Sequence, residues 1–263
     1  VDNVRRVGLG DFATAWGHVV QSYQSWYGVG LFKKDGINRD FRVVANVRSQ
    51  TQIVAVLARS PIKSFSDMKG KVVNLLSKGS GSNVNCTNIF KGLGLLDQIK
   101  PRYLGFAASG RALGDRQIDV FCSAGAPFKI PALTELSLRK PVRYISMTAA
   151  EQKKLTSAYK FYAPTTIPVQ KDVKGMTEPA RSISYDVYWL ANKSMSDEAI
   201  AAMLEVTADP DNLKKLAAVA GYWKTLNGNF ANLKALGIPL HPSAAKYWES
   251  RGFDISGVPV AAF

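Results

Sequence analysis

The stretch that most constrains how this chain can fold is Lys71–Leu95, KVVNLLSKGSGSNVNCTNIFKGLGL. It reads strand, loop, helix. Lys71 to Leu76 is short, β-branched and apolar, and Gly79-Ser80-Gly81-Ser82-Asn83 carries no bulky side chain. Val84, Ile89, Phe90 and Leu93 then recur at helical spacing, and Gly94 stops the helix. A Gly/Ser turn feeding a helix exposes backbone N–H groups at the positive end of the helix dipole, which attracts an anion. The same turn is also an ordinary β-α connection in which Ser80 or Ser82 serves only as N-cap. Spacing alone leaves both readings open. It is neither a P-loop nor a dinucleotide fingerprint, because no Lys-Ser/Thr closes it and no third glycine stands at the required place.

Length and charge narrow the partners. The 263 residues suffice for one large or two medium domains. No apolar run approaches the roughly 18 residues of a membrane span. The chain starts at Val1 without a signal-like segment, so a processed or incomplete N-terminus is expected. Lys and Arg number 34 against 20 Asp and Glu, a net charge of +14, which points to an anionic partner. The basic residues are scattered in pairs such as Arg5-Arg6 and Lys153-Lys154, and no nucleic-acid-binding signature accompanies them. A solvated basic surface is therefore favoured over nucleic-acid binding. Cys86 and Cys122 fit neither a zinc site nor a disulfide-rich scaffold, and one bridge or two buried thiols both remain open. His18 and His241 stand far apart in sequence, so neither a metal nor a cofactor is expected.

Taken in order, Arg5–Leu9 reads as a strand and Phe12–Tyr27 as a helix with Asp11 near its start, capping it or facing a ligand. Residues 41–47 and 52–58 read as two strands. Further strands are expected at 102–106, 118–123, 142–146 and 181–191, with helices between them and at 149–158, 197–208, 210–220, 230–236 and 242–250. Such alternation argues an α/β fold with parallel sheets. Ligands of such folds lie beyond the carboxyl ends of the strands, which puts Gly79–Asn83 and Gly125-Ala126-Pro127 at one site.

Several motifs in order carry a family likeness: Ile62–Val73 (IKSFSDMKGKVV), Gly79–Ser82, Gly92–Leu95, Ile118–Phe121 with Gly125–Pro127, Ile167-Pro168, and Ile238–Trp248 (IPLHPSAAKYW). The series, spanning about Arg5 to Phe253, resembles the TAXI family of extracytoplasmic solute receptors that serve TRAP transporters. The resemblance implies a two-lobed type II periplasmic-binding-protein (Venus flytrap) fold. Lobe one would be 1–59 plus 184–263 and lobe two 60–183, with the ligand in the cleft. It also implies that the first βαβ unit of lobe one is missing from this chain, and Ser82 replaces the family's usual Thr. By the same resemblance, Gly79, Ser80, Gly81, Ser82 and Asn83 form the ligand-carboxylate loop and Gly125, Ala126 and Pro127 a second cleft loop. Asp11 would meet a ligand amine or cap, Tyr162 would line the cleft wall, and His241 would be structural.

The function so implied is capture of a small organic anion (an amino acid such as glutamate, an oxo acid or a dicarboxylate). A periplasmic monomer would deliver it to a TRAP permease, with no nucleic acid involved. Two other classes compete. An enzyme on the same fold would use Cys86 or Cys122 as nucleophile, yet no adjacent His or recognised catalytic set supports it. A nucleic-acid-binding protein is suggested by charge alone.

Overall fold

The computed structural model describes residues 1–125 and 128–262. Its first thirty residues differ from the sequence expectation. Asp2–Leu9 is an α-helix, α1, not a strand. Val4 and Val7 share its buried face, and Asp2 and Arg6, one turn apart, pair at 2.9 Å. Gly10 ends it at φ 85. One helix was expected over 12–27; instead Thr14–His18 is strand β1 and Val19–Tyr27 is helix α2. Asp11 therefore lies exposed in the turn between α1 and β1 and caps no helix.

The strands expected at 41–47 and 52–58 are one strand, β2, over Phe41–Leu57. The chain divides into two compact units, residues 1–49 with 185–263 and residues 50–184. Both β2 and β8 (Ala180–Asn192) contribute residues to each unit.

In the first unit β1 pairs antiparallel with β8, Trp16 opposite Trp189. Helices Asp197–Ala208 (α7), Pro210–Val219 (α8) and Pro242–Ser250 (α9) lie near the expected bounds. The helix expected at 230–236 is only a 3-10 turn at Ala231–Leu233. His241 is buried at the start of α9, its Nε2 3.1 Å from the Met195 carbonyl oxygen, a structural position.

In the second unit β3 (Val72–Asn74) is parallel to both β4 (Lys100–Arg102) and β5 (Val120–Gly125). β5 also pairs with β2, and β6 (Val142–Tyr144) pairs with β2 as well. Both of these pairings are antiparallel, so the sheet is mixed where a parallel one was expected. β7 (Ala163–Ile167) pairs antiparallel with the first part of β8. Phe121 points into a core built with Ile53, Ala55, Ala112, Leu113 and Leu133. Its neighbour Cys122 points the other way, as strand alternation requires, and is disulfide-bonded to Cys86 of α3 (Gly81–Gly92), the helix that follows β3. The remaining helices of the unit are α4 (Phe106–Gly114), α5 (Pro131–Ser137) and α6 (Ala149–Ala158), the last opened by a capping box of Thr148 and Glu151.

Candidate functional site

The Gly/Ser loop joins the end of β3 to α3 by a path that its own side chains brace. Leu76 is buried and sits at φ 63, a conformation that costs a branched residue energy. The Asn83 side-chain amide donates to the Leu75 carbonyl oxygen at 3.0 Å and secures that bend. Gly79 follows at φ 78 in open space. Ser80 is the N-cap of α3: its Oγ accepts from the Asn83 amide at 3.1 Å and its carbonyl from the Val84 amide. Of the first-turn donors that a helix leaves unpaired, the Gly81 and Ser82 amides have no partner among the described residues. Ser82 is 8% exposed, and its hydroxyl also lacks a partner there. The two serines therefore differ in role. Ser80 closes the helix end, and Ser82 keeps a donor in reserve beside it.

Behind the first turn runs a buried relay. Tyr162 Oη donates to Asn85 Oδ1 at 2.7 Å, and Asn85 Nδ2 donates to the Gly81 carbonyl oxygen at 2.9 Å. Tyr162 is 5% exposed and stacks edge-on with Phe161 and Tyr159, so it positions the loop from within. The disulfide adds a covalent tie, with Cα atoms 6.0 Å apart. Gln52 Nε2 lies 3.1 Å from Cys86 Sγ and 3.2 Å from Cys122 Sγ. An enzyme using either thiol as nucleophile is not compatible with that bond.

A second helix N-terminus meets the first, which the sequence reading missed. Asn74, the last residue of β3, accepts from the Leu104 amide at 2.8 Å and donates to Ser109 Oγ at 2.7 Å. These bonds fix the entry to α4. Its N-cap Gly105 supplies no side chain, and a Cβ there would lie 3.7 Å from Ser77 Oγ of the Gly/Ser loop. Lys78 rises from the same loop and holds its ammonium 4.6 Å from the centre of the Tyr103 ring. Two parallel strands thus deliver two helix N-termini, a serine hydroxyl and a lysine to one end of the sheet. That arrangement is electropositive without any metal. Among the described residues no cluster of three or more His, Cys, Asp or Glu could hold a metal ion.

Gly125 closes β5 beside this end of the sheet. A Cβ there would collide with the Lys129 carbonyl oxygen and lie 2.8 Å from Ile53 Cδ1, so close backbone approach explains this glycine without a ligand. Ala126 and Pro127 lie outside the described residues. Asp11 belongs to the other unit, where the relevant helix start is that of α2. There His18 is the N-cap, its Nδ1 is buried without a partner, and burial above all, with nearby Arg48 adding, lowers its pKa to about 4. Gln21, one turn on, buries its Nε2 unpartnered too. The sequence signal for His18 was a lone histidine before an apolar pair, Val19-Val20, too common to single out. A larger concavity of about 730 Å³ runs between α4 and α5, past Phe106, Gly110, Ala132 and Leu136. The first residues of both helices, Phe106 and Ala107 of α4 and Pro131 and Ala132 of α5, line it, whereas the Gly/Ser loop does not.

This architecture is the type II periplasmic-binding-protein fold. Superposition relates the chain to XAC2383 from Xanthomonas citri bound to ATP at 13% identity, over 95% of this chain and 82% of that one, TM-score 0.52. The same protein bound to chloride ion matches at 13% identity, over 97% and 80%, TM-score 0.50. A protein described as the periplasmic sulfonate-binding protein SsuA of a sulfonate ABC transporter, from Methylobacillus flagellatus KT, matches at 14% identity, over 97% and 74%, TM-score 0.50. The chain belongs to the NMT1-like family, whose model matches residues 1–252. Among the described residues no helix is long and apolar enough to cross a membrane.

Proposed function

We propose that this protein is an extracytoplasmic, periplasmic solute-binding protein that captures a small organic anion and hands it to a membrane permease. The observation that carries the reading is the pairing of the α3 and α4 N-termini around Ser77, Lys78 and Ser82. Backbone amides and a hydroxyl bind an anionic oxygen by charge-assisted hydrogen bonds. A fold shared with a sulfonate-binding protein is consistent with that chemistry. The ligand-contacting groups are the Gly81 and Ser82 amides and the Ser82 hydroxyl, with Gly79 granting access. Ser80, Asn83 and Tyr162 hold the loop in shape. The two units serve as the two lobes of such a receptor, and no bond is made or broken in the ligand.

The finer reading, carried by the motif series from Ile62 to Trp248, is a TAXI-type receptor of a TRAP permease with a carboxylate ligand. An ABC importer and a sulfonate ligand form the second reading, favoured by the sulfonate-binding protein of the same fold. A thermal-shift screen of amino acids, oxo acids, dicarboxylates and alkyl sulfonates separates the two classes of ligand. A ligand at a hundredfold excess over its Kd adds about 2.7 kcal/mol of stability. No shift with any anion of either class, in protein purified through unfolding and refolding to strip bound ligand, would refute the anion reading. The permease class is read by co-purification with one transporter type or the other.

A further inference from the structure

The two units differ in charge far more than in size. Residues 50–184 carry 20 Lys and Arg against 8 Asp and Glu, a net +12. The other unit carries 14 against 12, a net +2. Ion pairing follows the same division. Among the described residues the near-neutral unit has five Lys/Arg–carboxylate pairs. The basic unit has two, Lys129 with Asp172 and Lys140 with Asp115. Its cations are thus mostly uncompensated by the protein itself.

Four of the twenty lie along one edge of the sheet. β4 is the outer strand of the unit, and its three residues Lys100, Pro101 and Arg102 are all exposed. The Lys100 amide donates to the Lys71 carbonyl oxygen at 2.8 Å, and the Gly70 amide donates to the Gln98 carbonyl oxygen at 2.6 Å, which sets Lys69 and Lys71 beside Lys100. Lysine and proline on an edge strand discourage strand pairing with another chain. This edge has four cations and continues into exposed aromatics, Tyr103 at 41% and Phe106 at 49% exposure. The carboxylates near it in sequence are largely engaged. Asp67 accepts from the Lys63 and Ser64 amides, and Asp119 from the Val72 amide, leaving Asp97.

We propose that this edge of the basic unit, Lys69, Lys71, Lys100 and Arg102 with Tyr103 and Phe106, docks on an anionic lipid surface. Flexible cations flanking exposed aromatic rings suit a headgroup layer, where the charges meet phosphates and the rings enter the interface. Most of the charge is spread over several elements as unpaired side chains, which fits a fluid plane of charge better than the fixed pattern of a protein partner. The inference rests on the four cations, none of which the ligand reading uses; its two aromatics adjoin the candidate anion site, where Lys78 stacks on Tyr103 and Phe106 opens α4.

The test is sedimentation of the whole chain with vesicles of phosphatidylcholine alone and of phosphatidylcholine with one third phosphatidylglycerol. Binding to the anionic vesicles only, weakening with salt, is expected. Each cation near such a surface is worth about fivefold in affinity, so Lys69→Gln/Lys71→Gln/Lys100→Gln/Arg102→Gln should lose up to several hundredfold. Lys33→Gln/Lys34→Gln/Lys215→Gln/Lys224→Gln, an equal loss of charge from the other unit, should lose less than tenfold. Lys69→Arg/Lys71→Arg/Lys100→Arg should bind as the parent does, and thermal melts confirm that each variant is folded. Equal losses in the two neutralised variants, or no preference for anionic vesicles, overturn the proposal. So does capture by poly-glutamate without any vesicle binding, which would assign the edge to an acidic polypeptide.

Discussion

Ser80 and Ser82 stand two positions apart at the start of α3, one as its N-cap and the other proposed to meet the ligand, so a pair of alanine variants tests the site directly. In Ser80→Ala the N-cap acceptor of the Asn83 amide disappears. Loss of such a cap costs about 1 kcal/mol. For a chain of this size that lowers the melting temperature by about 2–4 °C. Ligand affinity should fall little, because the Ser80 side chain is turned to its own helix. In Ser82→Ala nothing in the ligand-free protein is lost, since the hydroxyl has no partner among the described residues, and removing it leaves no buried acceptor stranded. The melting temperature should stay within a degree of the parent's. If the hydroxyl donates to an anionic ligand, affinity falls by the worth of one charge-assisted hydrogen bond, about 1.5–3 kcal/mol, or roughly 10- to 150-fold. Scanning calorimetry of the ligand-free variants and titration calorimetry with the best anion from the screen give both numbers. A stability loss in Ser82→Ala matching that of Ser80→Ala, with unchanged affinity, refutes the division of labour and removes the Ser82 hydroxyl from the site.

Other outcomes follow from the same geometry. Tyr162→Phe strands the buried Asn85 Oδ1 and should cost about 1–3 kcal/mol of stability, read in urea melts, with a smaller fall in affinity because Asn85 still bonds Gly81. Gly125→Ala sets a methyl against the Lys129 carbonyl oxygen and should destabilise by about 1–3 kcal/mol in the same assay; a neutral result would mean that the β5–α5 connection relaxes freely. Reducing Cys86–Cys122, which are 36 residues apart, should cost about 3–4 kcal/mol by the chain-entropy account, and thiol titration of the unreduced, denatured protein should find no free thiol. His18 has a folded pKa of about 4, below its usual value, so the unfolded chain binds the extra proton. Its contribution is complete above about pH 6.5 and is lost as pH falls towards 4, so His18→Gln should flatten the stability profile in that window; an unchanged profile refutes the assignment.

How much of this was legible in the sequence depends on whether the partner of each segment is local. The helices α6, α7 and α9 have their start signals in local residues, Thr148 with Glu151, Ser196, and Pro242, and the expected bounds agree with the observed ones. The strand β1 has no such signal. It is five residues long, contains Gly17, and is a strand because residues 187–191 lie beside it, far along the chain. Without that partner the apolar residues from Phe12 to Tyr27 read as one helix, and the displaced boundary put Asp11 at a helix start that does not exist. β2 failed for the opposite reason. Its polar middle, Arg48 to Thr51, looks like a turn, yet it is the joint where one strand leaves one hydrophobic core and enters another. Polar residues are tolerated there because the backbone hydrogen bonds of a strand continue whatever the side chains do. The site divides along the same line. The Gly/Ser loop was visible because the helix-start amides that the proposal uses reside in contiguous backbone. The contributions of Asn74, Gly105 and Tyr162 were not, since each acts across the unit on a residue 28 or more positions away, and only the fold decides which serine is the cap and which keeps a hydroxyl without a partner among the described residues.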